Sequence, residues 1–120
     1  MQGQMQIYRT SNWALLERML SDPAIEGTGN MRVQYVGIFF IIAEAQRRDY
    51  IVTTQFLVDV TRIDKTGILK ATKALEVLGF IKRKKILAAH GRGRAWQYVI
   101  DLPEDMHNIV LNEILLRHQE

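Results

Sequence analysis

The chain has 120 residues, enough to bury one sizeable core but short for an independent second domain. Cysteine is absent, which excludes disulfides, thiolate metal ligands and cysteine-based redox sensing, and 48% hydrophobic with 24% charged residues excludes wholesale disorder. The net charge of +3 hides an asymmetry, because residues 62–94 carry ten basic side chains against only Asp64 and Glu76, a local balance of +8 that creates an anion-attracting field.

Residues 1–6 are neutral and polar, with no basic stretch feeding an apolar core, so no export signal is expected. After Ser11, Trp13, Leu16 and Leu20 recur at helical spacing and predict a short helix that fails near Asp22-Pro23. Gly27-Thr28-Gly29-Asn30 reads as a loop, with Asn30 able to cap a long helix reaching about Arg48. Tyr35, Ile38, Phe39, Ile42 and Ala45 form its inward face, and Arg32, Gln46 and Arg47 face water. The strongly apolar run within it, residues 36–43, is much too short to cross a membrane. The expectation is a cytoplasmic protein with no membrane partner.

Asp49-Tyr50 ends that helix, and Ile51-Val52-Thr53 is read as a short extra strand. Thr53 or Thr54 caps a helix over residues 54–63 anchored by Phe56, Leu57 and Val60. Asp64 caps the next helix, residues 65–78, in which Ile68, Ala71, Thr72, Leu75 and Leu78 turn inward and Lys65, Thr66, Lys70 and Lys73 stay outside. Gly79 suits its C-terminal stop, and Phe80-Ile81 resume burial. Residues 80–87 and 95–100 are antiparallel strands, with Trp96, Tyr98 and Ile100 alternating against Gln97 and Asp101. Between them the turn His90-Gly91-Arg92-Gly93-Arg94 projects two arginines. Pro103-Glu104-Asp105 starts a terminal helix ending near Arg117, on which Met106, Ile109, Val110, Leu111, Ile114 and Leu115 cover a wide face.

The fold class expected is therefore mainly α with a small β hairpin: a winged helix-turn-helix domain with N- and C-terminal flanking helices. It divides into residues 1–29, a helix and loop; 30–100, the winged domain; and 101–120, a C-terminal helix. A basic helix beside an arginine-tipped hairpin points to double-stranded DNA. An arginine at such a tip can enter the minor groove, where negative potential is concentrated.

The stretch Asp64-Lys65-Thr66-Gly67-Ile68-Leu69-Lys70-Ala71-Thr72-Lys73-Ala74-Leu75-Glu76-Val77-Leu78-Gly79-Phe80-Ile81 resembles the recognition-helix signature of the MarR family of bacterial regulators. Lys82-Arg83 and the turn at residues 90–94 look like that family's wing, and the likeness extends loosely over residues 30–100. The resemblance implies that helix 65–78 enters the major groove, with Thr66, Gly67, Leu69, Lys70 and Lys73 approaching bases or phosphates. Lys65 is then a phosphate anchor, Lys82 and Lys84 make positioning contacts, and Arg92 and Arg94 form the wing tip. It also implies a homodimer built from terminal helices, with Trp13, Leu16, Met106, Ile109, Val110 and Ile114 at the interface and a palindromic operator as the site. The terminal helices are shorter than that family's pattern and leave little volume for an effector cleft, so a small-molecule effector stays open. Repression follows from occupying promoter DNA.

Catalysis is not expected. His90, His107 and His118 have no metal-motif companions, and His107 and His118, on one proposed helix, would be separated by a rise of roughly 16 Å. Gly91-x-Gly93 is too short for a nucleotide loop. No cofactor or metal is implied. Two other classes remain: a winged module that binds a protein partner, and a replication-associated DNA binder with little sequence preference.

Overall fold

Thr28, Thr53 and Asp64 each have extended backbone, and each turns a side-chain oxygen onto the amide three residues ahead. Three helices begin at those points, because the oxygen satisfies an N–H that has no partner inside the helix. The computed structural model describes residues 13–87 and 94–103. Its elements are a helix over residues 13–21 (α1), α2 (Gly29–Arg47), α3 (Thr54–Thr61), α4 (Lys65–Val77), β1 (Ile81–Leu87) and β2 (Arg94–Ile100). Among the described residues, four helices followed by a hairpin give a mainly α domain with a small antiparallel sheet, an architecture of the winged-helix kind. The expected C-terminal flanking helix, with Met106, Ile109, Val110 and Ile114, lies outside the described residues.

In α1 the buried positions are Leu15 and Met19, whereas Trp13 and Leu20 are exposed and Leu16 is half-buried. The helix ends at Ser21, at the Asp22-Pro23 break expected of it, with the Asp22 carboxylate accepting from the Ala24 amide (2.8 Å). Asn30 is not the cap of α2. Thr28 takes that place, its Oγ1 accepting from Met31 N at 3.3 Å. Arg32, expected in water, is half-buried and donates to the carbonyls of Asp22 (3.2 Å), Ile25 (2.6 Å) and Gly27 (3.1 Å), while the Tyr35 hydroxyl donates to Glu26 O (2.8 Å). These bonds fix the loop before α2 against its first turns.

α2 packs on both α4 and β2 and is the central helix. Its Tyr35, Ile38, Phe39, Ile42 and Ala45 are all buried, as the periodicity predicts. Phe39 meets Phe80 with ring centroids 5.8 Å apart, tying the helix to the start of the hairpin. Such a pair contributes about 0.5–1.5 kcal/mol beyond its buried area. In α3 only Leu57 is fully buried, and Val60, expected inside, is 53% exposed. The helix also ends two residues early: Arg62 takes a left-handed conformation (φ 64°), and Thr61 Oγ1 accepts from Ile63 N (3.1 Å).

The expected strand at residues 51–53 does not form. Tyr98 N donates to Val52 O (2.8 Å), but Ile51 is exposed and Thr53 already serves as the cap of α3, so the ladder ends after that single bond. In the hairpin the register runs from Ile81 opposite Ile100 to Leu87 opposite Arg94. Paired residues share a face, which puts Ile81, Arg83, Lys85, Trp96, Tyr98 and Ile100 on one side and Lys82, Lys84, Gln97 and Val99 on the other. Ile81 and Tyr98 are buried, whereas Trp96, predicted inward by the same alternation, is exposed because the hairpin runs past the edge of the core there.

Candidate nucleic-acid interface

α4 is held from behind and open in front. Ile68, Ala71, Thr72, Ala74 and Leu75 are buried, and the Asp64 carboxylate caps the helix by accepting from Gly67 N at 2.8 Å. Tyr98 bridges the elements behind it: its hydroxyl lies 2.9 Å from Thr54 Oγ1 and 3.4 Å from Thr72 Oγ1. Thr72 Oγ1 also donates to Ile68 O at 3.0 Å, so the buried hydroxyl is satisfied. At the far end Gly79 has φ 78°, a conformation that favours glycine, and Phe80 N donates back to Leu75 O (3.0 Å). Both ends and the inner face of the helix are thus fixed by the chain's own groups.

The outer face carries Lys65, Thr66, Leu69, Lys70, Lys73 and Val77, all exposed. At 100° per residue, Thr66, Lys70, Lys73 and Val77 fall within one narrow stripe, and from Thr66 to Lys73 it is roughly 10 Å long. Lys65 and Leu69 flank the stripe on the side toward Glu76 and the hairpin. On the other side, Lys70, Lys73, Ala74 and Val77 form one wall of an open groove of about 460 Å³, faced by Ile25 and Tyr35. Burial raises the pKa of the Tyr35 hydroxyl, which is consistent with its place as a neutral donor in that wall.

Gly67 is half-buried, and its lack of a side chain answers to the fold: a Cβ there would sit 2.6 Å from Ile63 Cγ2. The hairpin divides its cations between its faces. Lys82 and Lys84 stand on the face away from Tyr98, with Lys82 Nζ 3.7 Å from Asp101 Oδ1. Arg83 and Lys85 stand on the Tyr98 face, and Arg83 Nε reaches Glu76 Oε2 of α4 at 3.4 Å. The strand cation linked to α4 is therefore Arg83, which composition alone did not single out and which the register opposite Tyr98 reveals. Both ion pairs are largely open to solvent, with Glu76 only part-exposed, a setting worth about 0–1 kcal/mol, and neither fixes the hairpin strongly. Arg92 lies outside the described residues, and Arg94 is described only as the first residue of β2.

His90, His107 and His118 also lie outside the described residues. Among the described residues, no three His, Cys, Asp or Glu side chains are grouped to hold a metal ion, and no helix is long and apolar enough to cross a membrane. The chain matches no protein-family model, no curated protein and no solved structure.

Proposed function

We propose that the protein is a sequence-reading double-stranded DNA-binding regulator of the MarR kind, a cytoplasmic repressor that acts as a homodimer on a palindromic operator. The observation that carries this reading is the stripe on α4, where Thr66, Lys70 and Lys73 stand exposed on a helix whose caps and inner face are held rigidly. An α-helix fits the major groove, lysine bonds guanine edge acceptors, and threonine bonds either bases or phosphates. Lys65 anchors a phosphate at the helix start, Leu69 offers an apolar contact to a thymine methyl, and Gly67, which the contact with Ile63 already requires, adds no side-chain bulk to the first turn. Lys82, Lys84, Arg92 and Arg94 add phosphate and minor-groove contacts from the hairpin. Residues 30–100 form the reading unit, and residues 1–29 and 101–120 supply the dimer contacts.

Selection of bound duplexes from a random pool tests the reading. The expected outcome is a recovered inverted repeat, which reports base readout and two-fold symmetry together. Recovery of sequences no different from the starting pool would overturn sequence-specific regulation. A second reading, a winged module for a protein partner, is favoured by one observation: Leu69 and Val77 expose apolar surface beside the lysines. Under that reading an acidic protein would displace duplex competitor at equal concentration.

A further inference from the structure

An open indole and two cations stand together on the hairpin, and the core uses none of them. Trp96 is 43% exposed, whereas Tyr98 on the same face is buried and bonded to Thr54. Lys85 lies directly across from Trp96 in the register, and Arg83 lies across from Tyr98. The Arg83 guanidinium carbon is 5.7 Å from the Trp96 ring centroid and the Lys85 ammonium 5.8 Å, both within cation–π range. Arg83 also reaches Glu76 of α4 through a solvent-exposed ion pair. A shallow recess of about 420 Å³ adjoins the ring; Gly79, Arg83 and Trp96 line it together with Glu76 and Asp101, whose carboxylates are each paired with a strand cation.

Tryptophan carries more apolar surface than any other side chain, and leaving it open is informative where the fold has no need of it. The neighbours that reach this ring are cationic, which suits a polyanionic strand better than an apolar peptide. A flat π-surface with two solvent-exposed cations reaching over it divides the recognition of a nucleotide between two groups. The ring stacks on the base, and the cations take the phosphates on either side. Bases in a duplex are already stacked on each other, so the ring selects an unpaired one. The α4 stripe has lysines but no aromatic residue and is suited to grooves instead.

We propose that Trp96, with Arg83 and Lys85, is a stacking site for unpaired bases of single-stranded DNA, a second nucleic-acid surface distinct from the α4 stripe. It stands on the hairpin geometry and does not depend on duplex reading by α4.

Trp13 and Trp96 are the only tryptophans, so the full chain carrying Trp13→Phe reports Trp96 alone. The probe is a ten-nucleotide oligothymidylate, followed by fluorescence anisotropy of an end label and by Trp96 emission. Stacking predicts that emission is quenched along the same isotherm as the anisotropy rise. Adding Trp96→Leu weakens binding about tenfold or more, and Trp96→Phe, which keeps a ring, retains most of it. Lys70→Ala leaves the oligothymidylate isotherm in place. The proposal is overturned by anisotropy that saturates while Trp96 emission stays constant, by a leucine variant that binds as tightly as its parent, or by no binding at all. Lys70→Ala weakening the oligothymidylate as much as Trp96→Leu would equally overturn a separate surface. Quenching by oligothymidylate in a protein that binds no duplex would sink the regulator reading and support this one.

Discussion

Gly67 has no room for a side chain as α4 stands. A Cβ there would lie 2.6 Å from Ile63 Cγ2 and 3.1 Å from Asp64 Oδ1, and the isoleucine methyl is β-branched and cannot swing aside cheaply. Gly67→Ala should therefore cost about 1–3 kcal/mol by overpacking. Better helix propensity returns up to about 1 kcal/mol, so urea unfolding should record a modest net loss. In an Ile63→Ala background the same change should become neutral or stabilising. Equal harm in both backgrounds would show that the crowding comes from somewhere other than Ile63. The exposed lysines of α4 separate by what they are proposed to touch. Lys65→Ala should weaken binding to every duplex alike and flatten the dependence of log Kd on log salt by about 1, the signature of one lost phosphate contact. Lys70→Ala should remove about 1–3 kcal/mol of preference for the selected site over random DNA. Anisotropy titrations on both duplexes at several salt concentrations distinguish these outcomes, and a uniform loss from Lys70→Ala would make it a phosphate contact.

The loop between α1 and α2 is an element in its own right, closed by Arg32, Tyr35 and Asp22. The Ala24 amide donates to the Asp22 carboxylate, and with the Arg18 guanidinium nearby this holds the group below its ordinary pKa. A carboxylate depressed in the folded state adds stability above its unfolded pKa and loses it as pH falls through the folded value. Asp22→Asn should accordingly lower Tm at pH 7, with the difference shrinking as pH drops below about 4. Thermal melts from pH 7 to pH 3 check this, and a constant gap would assign the effect to geometry rather than charge. The loop's place was legible from Asp22-Pro23 and Gly27-Thr28-Gly29, but its closure was not, because Arg32 becomes half-buried only through carbonyls brought to it by the turn at Pro23. The same turn moves the cap of α2 back from Asn30 to Thr28, two residues equally able to serve. α4 was legible almost completely, since its inward positions, its cap at Asp64 and its stop at Gly79 are all local signals. The extra strand was not, because Thr53 is claimed by the cap of α3 before a ladder can extend. For the hairpin, alternation gave the faces correctly but not where the core ends. Trp96 shares a side with buried Tyr98 and is open all the same, and the assignment of Arg83 rather than Lys82 to the α4 side needed the register.

At the scale of the whole molecule, duplex reading by one α4 stripe is short of what an operator requires. A stripe of roughly 10 Å spans only about three base pairs. Two copies related by a two-fold axis would double the site and fix its half-site spacing near one helical turn, about 34–36 Å. Trp13 is the described residue best placed to test that arrangement. It is 57% exposed on α1 while Leu15 and Met19 of the same helix fill the core, so the fold does not need its ring. Trp13→Glu should change the unfolding free energy by no more than about 0.5 kcal/mol, the range for surface positions. If the ring lies in the dimer contact, a charge there is left unpaired on association. Sedimentation at micromolar concentration should then show the mass falling from two chains to one, and preference for a full palindrome over a single half-site should fall with it. A parent that already sediments as one chain would remove the dimer from the proposed mechanism. A Trp13→Glu variant that stays at two chains would move the interface away from α1.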